Sequence, residues 1–468
     1  MSNHTTATLA DKKQKSTLNP FILILFIILG FYVLSFIIPS GEYTRVDGIV
    51  DPNSFHFIDK TYVNIFSEIL TMVSNAVASS GTLIFSMLIF GGAVGMITET
   101  GAFDLVFDAA IKKFGDKTVL IIPVLCCLLG ICGAATVFIS TAITLVPITV
   151  MLCKKLKLDN TVAVGLAYLG PWIGFMASPI NVSTTATAQT IAGIPQFSGF
   201  GLRTVMSIIF VAIVAAYMTW YCIRIRKNPA KSVMGNQSIY DLNIGSNNSF
   251  EGQSFNLRHG IIFVLFVGGV VFFAFGSKLW GYGPSEMAGI FFIVALVSTA
   301  LVRKPLDEAF KAFTRGGQSM VSTVQIIIIC VLITSILSNG HVIDTIVYYI
   351  SLPLGYLPKP LAAIGMFIAN AIINIPIPSG SAQANVVMPI MAPLSDVLGI
   401  TRQTAVLAYQ YGDSFTNLMN PCSAAFMGAL AMAEVGFKKW MKFITPLFSI
   451  FLIPIIVSLI FATVTGWS

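Results

Sequence analysis

The chain has 468 residues, of which 56% are hydrophobic and only 10% charged, and it carries a net charge of +7. Soluble globular proteins carry about 25% charged residues. Apolar runs of about 18 residues or more recur along the whole length, which excludes a soluble fold and predicts an all-α polytopic membrane protein. The positive charge calls for no nucleic-acid partner, because basic residues collect in the cytoplasmic loops of such proteins.

Residues 1–20 are polar and basic and read as a cytoplasmic tail. The apolar run 21–38 has no small-residue cleavage signal after it and reads as a retained first helix. Loop 40–60 is acidic, with Glu42, Asp47, Asp51 and Asp59 against Arg45 and Lys60, which suits the outside. Residues 63–80 carry Glu68 and read as a separate interfacial or packed helix. A second spanning helix is expected over 82–97. Loop 99–117 carries Lys112, Lys113 and Lys117 and is placed inside.

Segment 119–153 has a basic loop on both sides, so it enters and returns. Its turn falls near Gly130–Thr136 and extends to Ser140 and Thr141. Residues 161–195 then cross outward, broken at Gly170-Pro171 and again over Ser178-Pro179-Ile180-Asn181-Val182-Ser183-Thr184. Residues 205–223 return and end in Arg224, Arg226 and Lys227. Residues 228–257 are rich in Asn, Ser and Gly and read as a cytoplasmic linker.

Helices follow at 260–275 and 287–302. An amphipathic stretch at 306–318 precedes a crossing at 321–337, and loop 339–360 holds few charges. A second hairpin, 360–398, enters from outside. Ile375-Pro376-Ile377-Pro378-Ser379-Gly380-Ser381 forbids a continuous helix there, because two prolines lack the N–H donor and glycine loosens the backbone. Another interrupted helix carries Gly412-Asp413-Ser414, Asn417 and Asn420-Pro421. Residues 443–463 lead the C-terminus outside.

This scheme has nine crossings and two hairpins. Of the 27 basic residues it leaves only Arg45, Lys60, Arg203, Lys278, Lys359 and Arg402 outside, as the positive-inside rule requires. The expected domains are the tail, a first half 21–227, the linker 228–257 and a second half 258–468.

Residues 147–179 align with 389–421 without a gap at an offset of 242, with eight identities in 33 positions. The matched residues include Pro147/Pro389, Gly170/Gly412 and Pro179/Pro421. The first hairpin is flanked by inside loops and the second by outside loops, so two inverted-topology repeats are expected, the architecture of secondary transporters.

Four polar breaks should then converge: Thr136, Ser140 and Thr141; Ser178, Asn181, Ser183 and Thr184; Ser379, Gly380, Ser381 and Gln383; and Asp413, Ser414, Asn417 and Asn420. Interrupted helices offer N-terminal N–H groups to carboxylates and C-terminal carbonyls to cations. The hydroxyls and amides add donors and acceptors, although any one Ser or Thr can equally bond a local helix carbonyl. The set suits a small substrate bearing a carboxylate and an amine. Asp413 replaces Pro171 at the equivalent position. An intramembrane carboxylate is by default functional, pairing with a substrate cation, binding Na⁺ or carrying a proton. Arg203 and Arg402 read as outer-interface anchors, leaving the core without a buried arginine.

The scattered histidines and the seven membrane-buried cysteines give no metal or redox site, and no cofactor is expected. There is no P-loop and no G-x-S-x-G elbow, which speaks against ATP energisation and against an enzyme.

Ile38-Pro39-Ser40-Gly41-Glu42-Tyr43, Gly91-Gly92-Ala93-Val94-Gly95 with Thr100-Gly101-Ala102-Phe103-Asp104, Ser178-Pro179-Ile180-Asn181 with Ala188-Gln189-Thr190-Ile191-Ala192-Gly193, and Gly412-Asp413 to Asn420-Pro421 resemble the YfcC-like branch of the DcuC-like anaerobic dicarboxylate carrier family. The resemblance runs from residue 20 to 465. It implies the ion-transporter superfamily fold, related to aminobenzoyl-glutamate transporters, with opposed hairpins, a homodimer and elevator movement. It also implies carriage of dicarboxylates or exchange of amino acids such as arginine and ornithine.

The resulting expectation is a multi-pass plasma-membrane antiporter or Na⁺- or H⁺-coupled carrier of a small carboxylate-bearing metabolite. An amino acid, including the basic type, is favoured over a four-carbon dicarboxylate. The rivals from another class are a passive channel and an intramembrane enzyme.

Overall fold

The computed structural model of the chain describes residues 20–46, 49–51, 53–114, 119–134, 139, 142–235 and 255–468. It is all-α apart from four two-residue strands. Helix α1 (Pro20–Ile37) leads into strands β1 (Gly41–Glu42), β2 (Arg45–Val46), β3 (Ile49–Val50) and β4 (His56–Phe57), in which β1 pairs with β4 and β2 with β3, both antiparallel.

Helix α2 (Ile65–Thr98) follows, then α3 (Ala102–Phe114). The first hairpin is α4 (Ile121–Ala134), a 3₁₀ turn at Ala142–Leu145 and α5 (Val146–Lys155). Helix α6 (Asn160–Val164) passes through a π-helical turn, Gly165–Leu169, into α7 (Gly170–Met176). After a break, a π turn over Val182–Ala186 opens α8 (Thr187–Ile191), and α9 (Phe200–Lys227) ends the first half.

The second half has α10 (Leu257–Trp280), α11 (Pro284–Val302), α12 (Leu306–Ser319), α13 (Val321–Asn339) and α14 (Ile343–Ser351). The second hairpin is α15 (Lys359–Ile373) and α16 (Gly380–Val397). Helices α17 (Arg402–Asn417), α18 (Ala424–Met432) and α19 (Phe437–Thr465) complete the chain. Among the described residues, five stretches are long and apolar enough to cross a membrane: Ser80–Thr98, Phe200–Lys227, Pro284–Val302, Leu306–Asn339 and Phe437–Thr465. Shorter apolar helices fill the space between them.

Several expectations change. Residues 63–80 and 82–97 are not two helices. They are one, α2, 34 residues and about 51 Å long. The polar face that suggested an interfacial helix is met by polar residues of α13: Ser335 donates to Glu68 at 2.5 Å and Asn339 donates to it at 2.7 Å. Gly170-Pro171 does not break its helix. The missing proline N–H is absorbed by the π turn just before it, in which the Gly170 N–H reaches the Gly165 carbonyl. The stretches 99–117 and 339–360, read as loops, contain α3 and α14. The acidic loop 40–60 forms the β pairs and docks on α14, where Arg45 holds Asp344 at 2.7 Å and Phe55 stacks on Tyr348 at 4.0 Å.

Packing divides the helices into two groups. Helices α1, α2 and α10–α13 form one, in which α2 meets α12 at glycines: a Cβ on Gly95 would lie 2.6 Å from the Ala312 carbonyl oxygen. Small residues permit such close backbone approach between membrane helices. The hairpins, α6–α9 and α17–α19 form the other. Here α4 and α7 touch backbone to backbone, since a Cβ on Gly133 or Gly174 would run into the carbonyl oxygen of Pro171 or Gly130.

The 242-residue correspondence extends beyond the identities. Lys157 and Gly399 both adopt positive φ. Asp159 and Thr401 both cap the following helix with their side chains. Ser178 and Asn420 each donate to the end of the first hairpin helix in their own half, at Ala134 and Asn374 respectively. Asn181 and Ser423 are again side-chain N-caps. The same backbone plan is thus built twice with mostly different residues.

Candidate functional site

Helix α17 carries the site. Every residue from Gln403 to Asn417 is buried, so its polar groups face protein on all sides. Gly412 makes this fit possible, because a Cβ there would lie 2.6 Å from Asn370 Cβ and 2.8 Å from the Phe367 carbonyl oxygen on α15. One residue on, Asp413 Oδ1 accepts from Asn374 Nδ2 at 2.9 Å and from Asn417 Nδ2 at 3.1 Å. Asp413 Oδ2 has no protein partner, nor do Ser414 Oγ, Thr184 Oγ1, Asn374 Oδ1 and Asn417 Oδ1. Orphaned buried polar atoms are rare and call for an explanation. Here they are all oxygens around one carboxylate, a donor set that suits a proton or a hard cation.

The tip of the second hairpin is drawn onto this carboxylate. Helix α15 ends before Pro376 and Pro378, and α16 starts at Gly380 with Ser379 at its N-cap. A Cβ on Gly380 would sit 3.2 Å from each Asp413 oxygen and against Thr184 Cγ2. Gln383 donates to Asn370 and accepts from Asn374 at 3.0 Å, so it staples the hairpin arms together. Ser381 is exposed. Asn420 donates to the Asn374 carbonyl and accepts from Cys422 N.

Two of the predicted breaks therefore meet at Thr184 and Gly380 on Asp413, which lies inside the continuous helix α17 rather than at a break; the interruption expected there falls after Asn417. Ser178 is spent on the Ala134 carbonyl at 2.5 Å, and Asn181 caps its helix at 3.0 Å. Thr136, Ser140 and Thr141 lie outside the described residues, as does the side chain of Ser183. Asn374 belongs to this cluster and is a residue that sequence reasoning passed over. Its signal was an amide inside the apolar run Ala371-Ile372-Ile373-Asn374-Ile375.

Beside the cluster lies a cavity of about 530 Å³. Its wall from the first group of helices includes Cys330, Ser335 and Asn339. The facing wall includes Ser379, Cys422 and Ala424. The starts of α16 and α18 both open onto it, and none of its lining residues is Lys, Arg or His. Asp413 is not on the wall itself but behind the hairpin tip.

Arg203 corrects the sequence reading. It is fully buried on α9 rather than anchored at the interface. It donates to Gln410 and, at 3.4 Å, to Gln403, and lies 5.6 Å over the ring of Trp467. The core thus does hold an arginine, enclosed by amides and absent from the cavity wall. Gln410 passes the contact on to the carbonyls of Phe175 and Ser178. Arg402 is half-exposed and pairs with Asp396 at 2.7 Å, a bond that raises the pKa of its guanidinium.

Apolar helices that turn amides, hydroxyls and helix ends inward on a cavity beside two hairpins define a multi-pass membrane transporter. The chain belongs to the DcuC family, described as C4-dicarboxylate anaerobic carrier, whose family model matches residues 19–464. It is 28% identical over 464 residues to an Escherichia coli (strain K12) protein named "Putative basic amino acid antiporter YfcC", covering 90% of this chain and 91% of that one. An uncharacterized protein of Haemophilus influenzae (strain ATCC 51907 / DSM 11121 / KW20 / Rd) is 26% identical over 404 residues, covering 85% of this chain and 78% of that protein. Among solved structures, the YdaH transporter of Alcanivorax borkumensis aligns over 96% of this chain and 99% of its own at 17% identity, with a TM-score of 0.40.

Proposed function

We propose that the protein is an elevator-type secondary transporter that carries a small carboxylate-bearing amino acid, of the basic arginine/ornithine type, by exchange or ion coupling. The observation that carries this reading is the cavity. Two helix N-termini face it and favour a carboxylate, while no cation on its wall is available for a second one. The printed name of the Escherichia coli relative points the same way. A four-carbon dicarboxylate is the second reading, favoured by the family description and by the presence of two N-termini at one cavity.

The hairpin-bearing group of helices moves against α1, α2 and α10–α13. The two halves are inverted copies across the plasma membrane. This is supported by the 242-residue correspondence and by the lysine-rich flanks of the first hairpin, with the N-terminus inside and the C-terminus outside. A homodimer and coupling to Na⁺ or H⁺ complete the proposal. The orphaned oxygens around Asp413 are where the coupling ion would be held.

The test is counterflow into proteoliposomes preloaded with amino acids or dicarboxylates, with and without Na⁺ and pH gradients. Accumulation only against a preloaded basic amino acid supports the reading. Accumulation only against succinate establishes the second one. Flux without counter-substrate or gradient points to a channel, and no flux of any kind ends both transporter readings.

A further inference from the structure

Glu68 is a second buried carboxylate, beside the cavity and outside the Asp413 cluster. It is 7% exposed on α2, and its carboxylate is held only by neutral donors, Ser335 at 2.5 Å and Asn339 at 2.7 Å. No ion pair to it exists among the described residues. Ser335 also accepts from Asn75 at 3.3 Å. Ser335, Asn339 and Asn75 all line the cavity, and Glu68 stands one hydrogen bond behind the first two.

The bonding fixes what this wall presents. Ser335 spends its only proton on Glu68 and accepts from Asn75 at 3.3 Å and Asn339 at 3.5 Å, so it is fixed in place between the carboxylate and the cavity. Asn339 spends an N–H on Glu68, leaving its carbonyl end for the cavity. The wall is therefore polar, uncharged and backed by a buried carboxylate with no ion pair among the described residues. A charge so placed is costly unless a cation compensates it. A Glu in the first turn of α2 favours the helix dipole. That role explains neither the hydroxyl and amide partners, Ser335 and Asn339, nor their place on the cavity wall.

We infer that Glu68, acting through Ser335 and Asn339, is a specificity-determining positioning residue that selects substrates bearing a positively charged side chain and disfavours dianions. The inference rests on the transporter reading above and assigns to Glu68 the preference for a basic side chain that it contains. The substrate's carboxylate sits at the starts of α16 and α18, and its cationic end points to the α2–α13 wall.

The experiment compares lysine with norleucine, which lacks only the terminal amine, as competitors of exchange in proteoliposomes, for the wild type and for Glu68→Gln. The amide keeps the size and one acceptor of the carboxylate. The wild type is expected to prefer lysine at least tenfold. Glu68→Gln should reduce that preference to within about threefold by raising the lysine KM, with the norleucine KM and the maximal rate unchanged. Ser335→Ala should shift the ratio in the same direction.

A wild type that exchanges amino acids yet fails to distinguish lysine from norleucine overturns the inference, whether or not the variants fold. So does a Glu68→Gln variant with an unchanged ratio. A wild type that exchanges no amino acid overturns the transporter reading instead, so the two failures are separable.

Discussion

Replacing Asp413 by Asn separates a functional carboxylate from a structural one. Asp413 Oδ1 accepts two amide N–H bonds, at 2.9 and 3.1 Å. A bond to a charged acceptor is worth about 1.5–3 kcal/mol and a neutral one about 0.5–1.5 kcal/mol, so the change costs roughly 2–3 kcal/mol over the pair. Against this stands the desolvation of a fully buried carboxylate with no cationic partner among the described residues, several kcal/mol that the amide does not incur. The new amide nitrogen takes the place of Oδ2, beside the unpartnered acceptors Asn374 Oδ1 and Asn417 Oδ1. The balance predicts that Asp413→Asn melts no lower than the wild type in detergent, and that its exchange no longer responds to Na⁺ or pH gradients. Thermal unfolding of the purified protein and gradient-driven uptake measure both. A clear drop in melting temperature, or a variant with wild-type ion dependence, would refute the reasoning.

Gly133→Ala and Gly174→Ala place a Cβ into carbonyl oxygens across the α4–α7 contact and should cost about 1–3 kcal/mol or more. Gly30→Ala and Gly268→Ala, which meet nothing within 4 Å, should leave melting unchanged. Gly380→Ala should push the hairpin tip off Asp413 and Thr184, lowering exchange at least tenfold with little loss of expression, as a fixed-time uptake assay would show. Arg203→Ala leaves the Gln410 carbonyl oxygen without its donor, while Gln403 keeps Gln189 at 3.1 Å, and should destabilise by about 1–3 kcal/mol, read as lost expression or melting, while any surviving protein keeps the wild-type substrate ranking.

Much of this architecture was legible in the sequence because membrane helices announce themselves by apolar length and their ends by basic residues. The helix pairs α4/α5 and α15/α16 fall within or at the edges of the stretches 119–153 and 360–398 expected from the sequence. Gly170/Gly412 and Pro179/Pro421 mark the same packing and break positions in the two halves. What escaped reading depends on partners far along the chain. Helix α2 reads as two pieces because 63–80 is only partly apolar and carries Glu68, and nothing local reveals that Ser335 and Asn339 meet that carboxylate. Arg203, near a helix start, has the pattern of an interface anchor; its burial is decided by Gln403 and Gln410, some 200 residues later. Gly170-Pro171 reads as a break because a π turn, which leaves no clear compositional signal, is what preserves the helix. Asp413 stood out as an intramembrane charge, but its place behind the hairpin tip rather than on the cavity wall follows only from the packing of Gly380 and Thr184.

The central claim is that the cavity between the two groups of helices holds the substrate. Cys330 and Cys422 line it from opposite walls, while Cys127 is exposed on the outer surface of the bundle. Labelling of the purified protein with a small mercurial, quantified for each cysteine by mass spectrometry, tests the claim directly. The transported amino acid is predicted to slow labelling of Cys330 and Cys422 in proportion to occupancy and to leave Cys127 unaffected. Equal rates at all three cysteines with and without saturating substrate would contradict it.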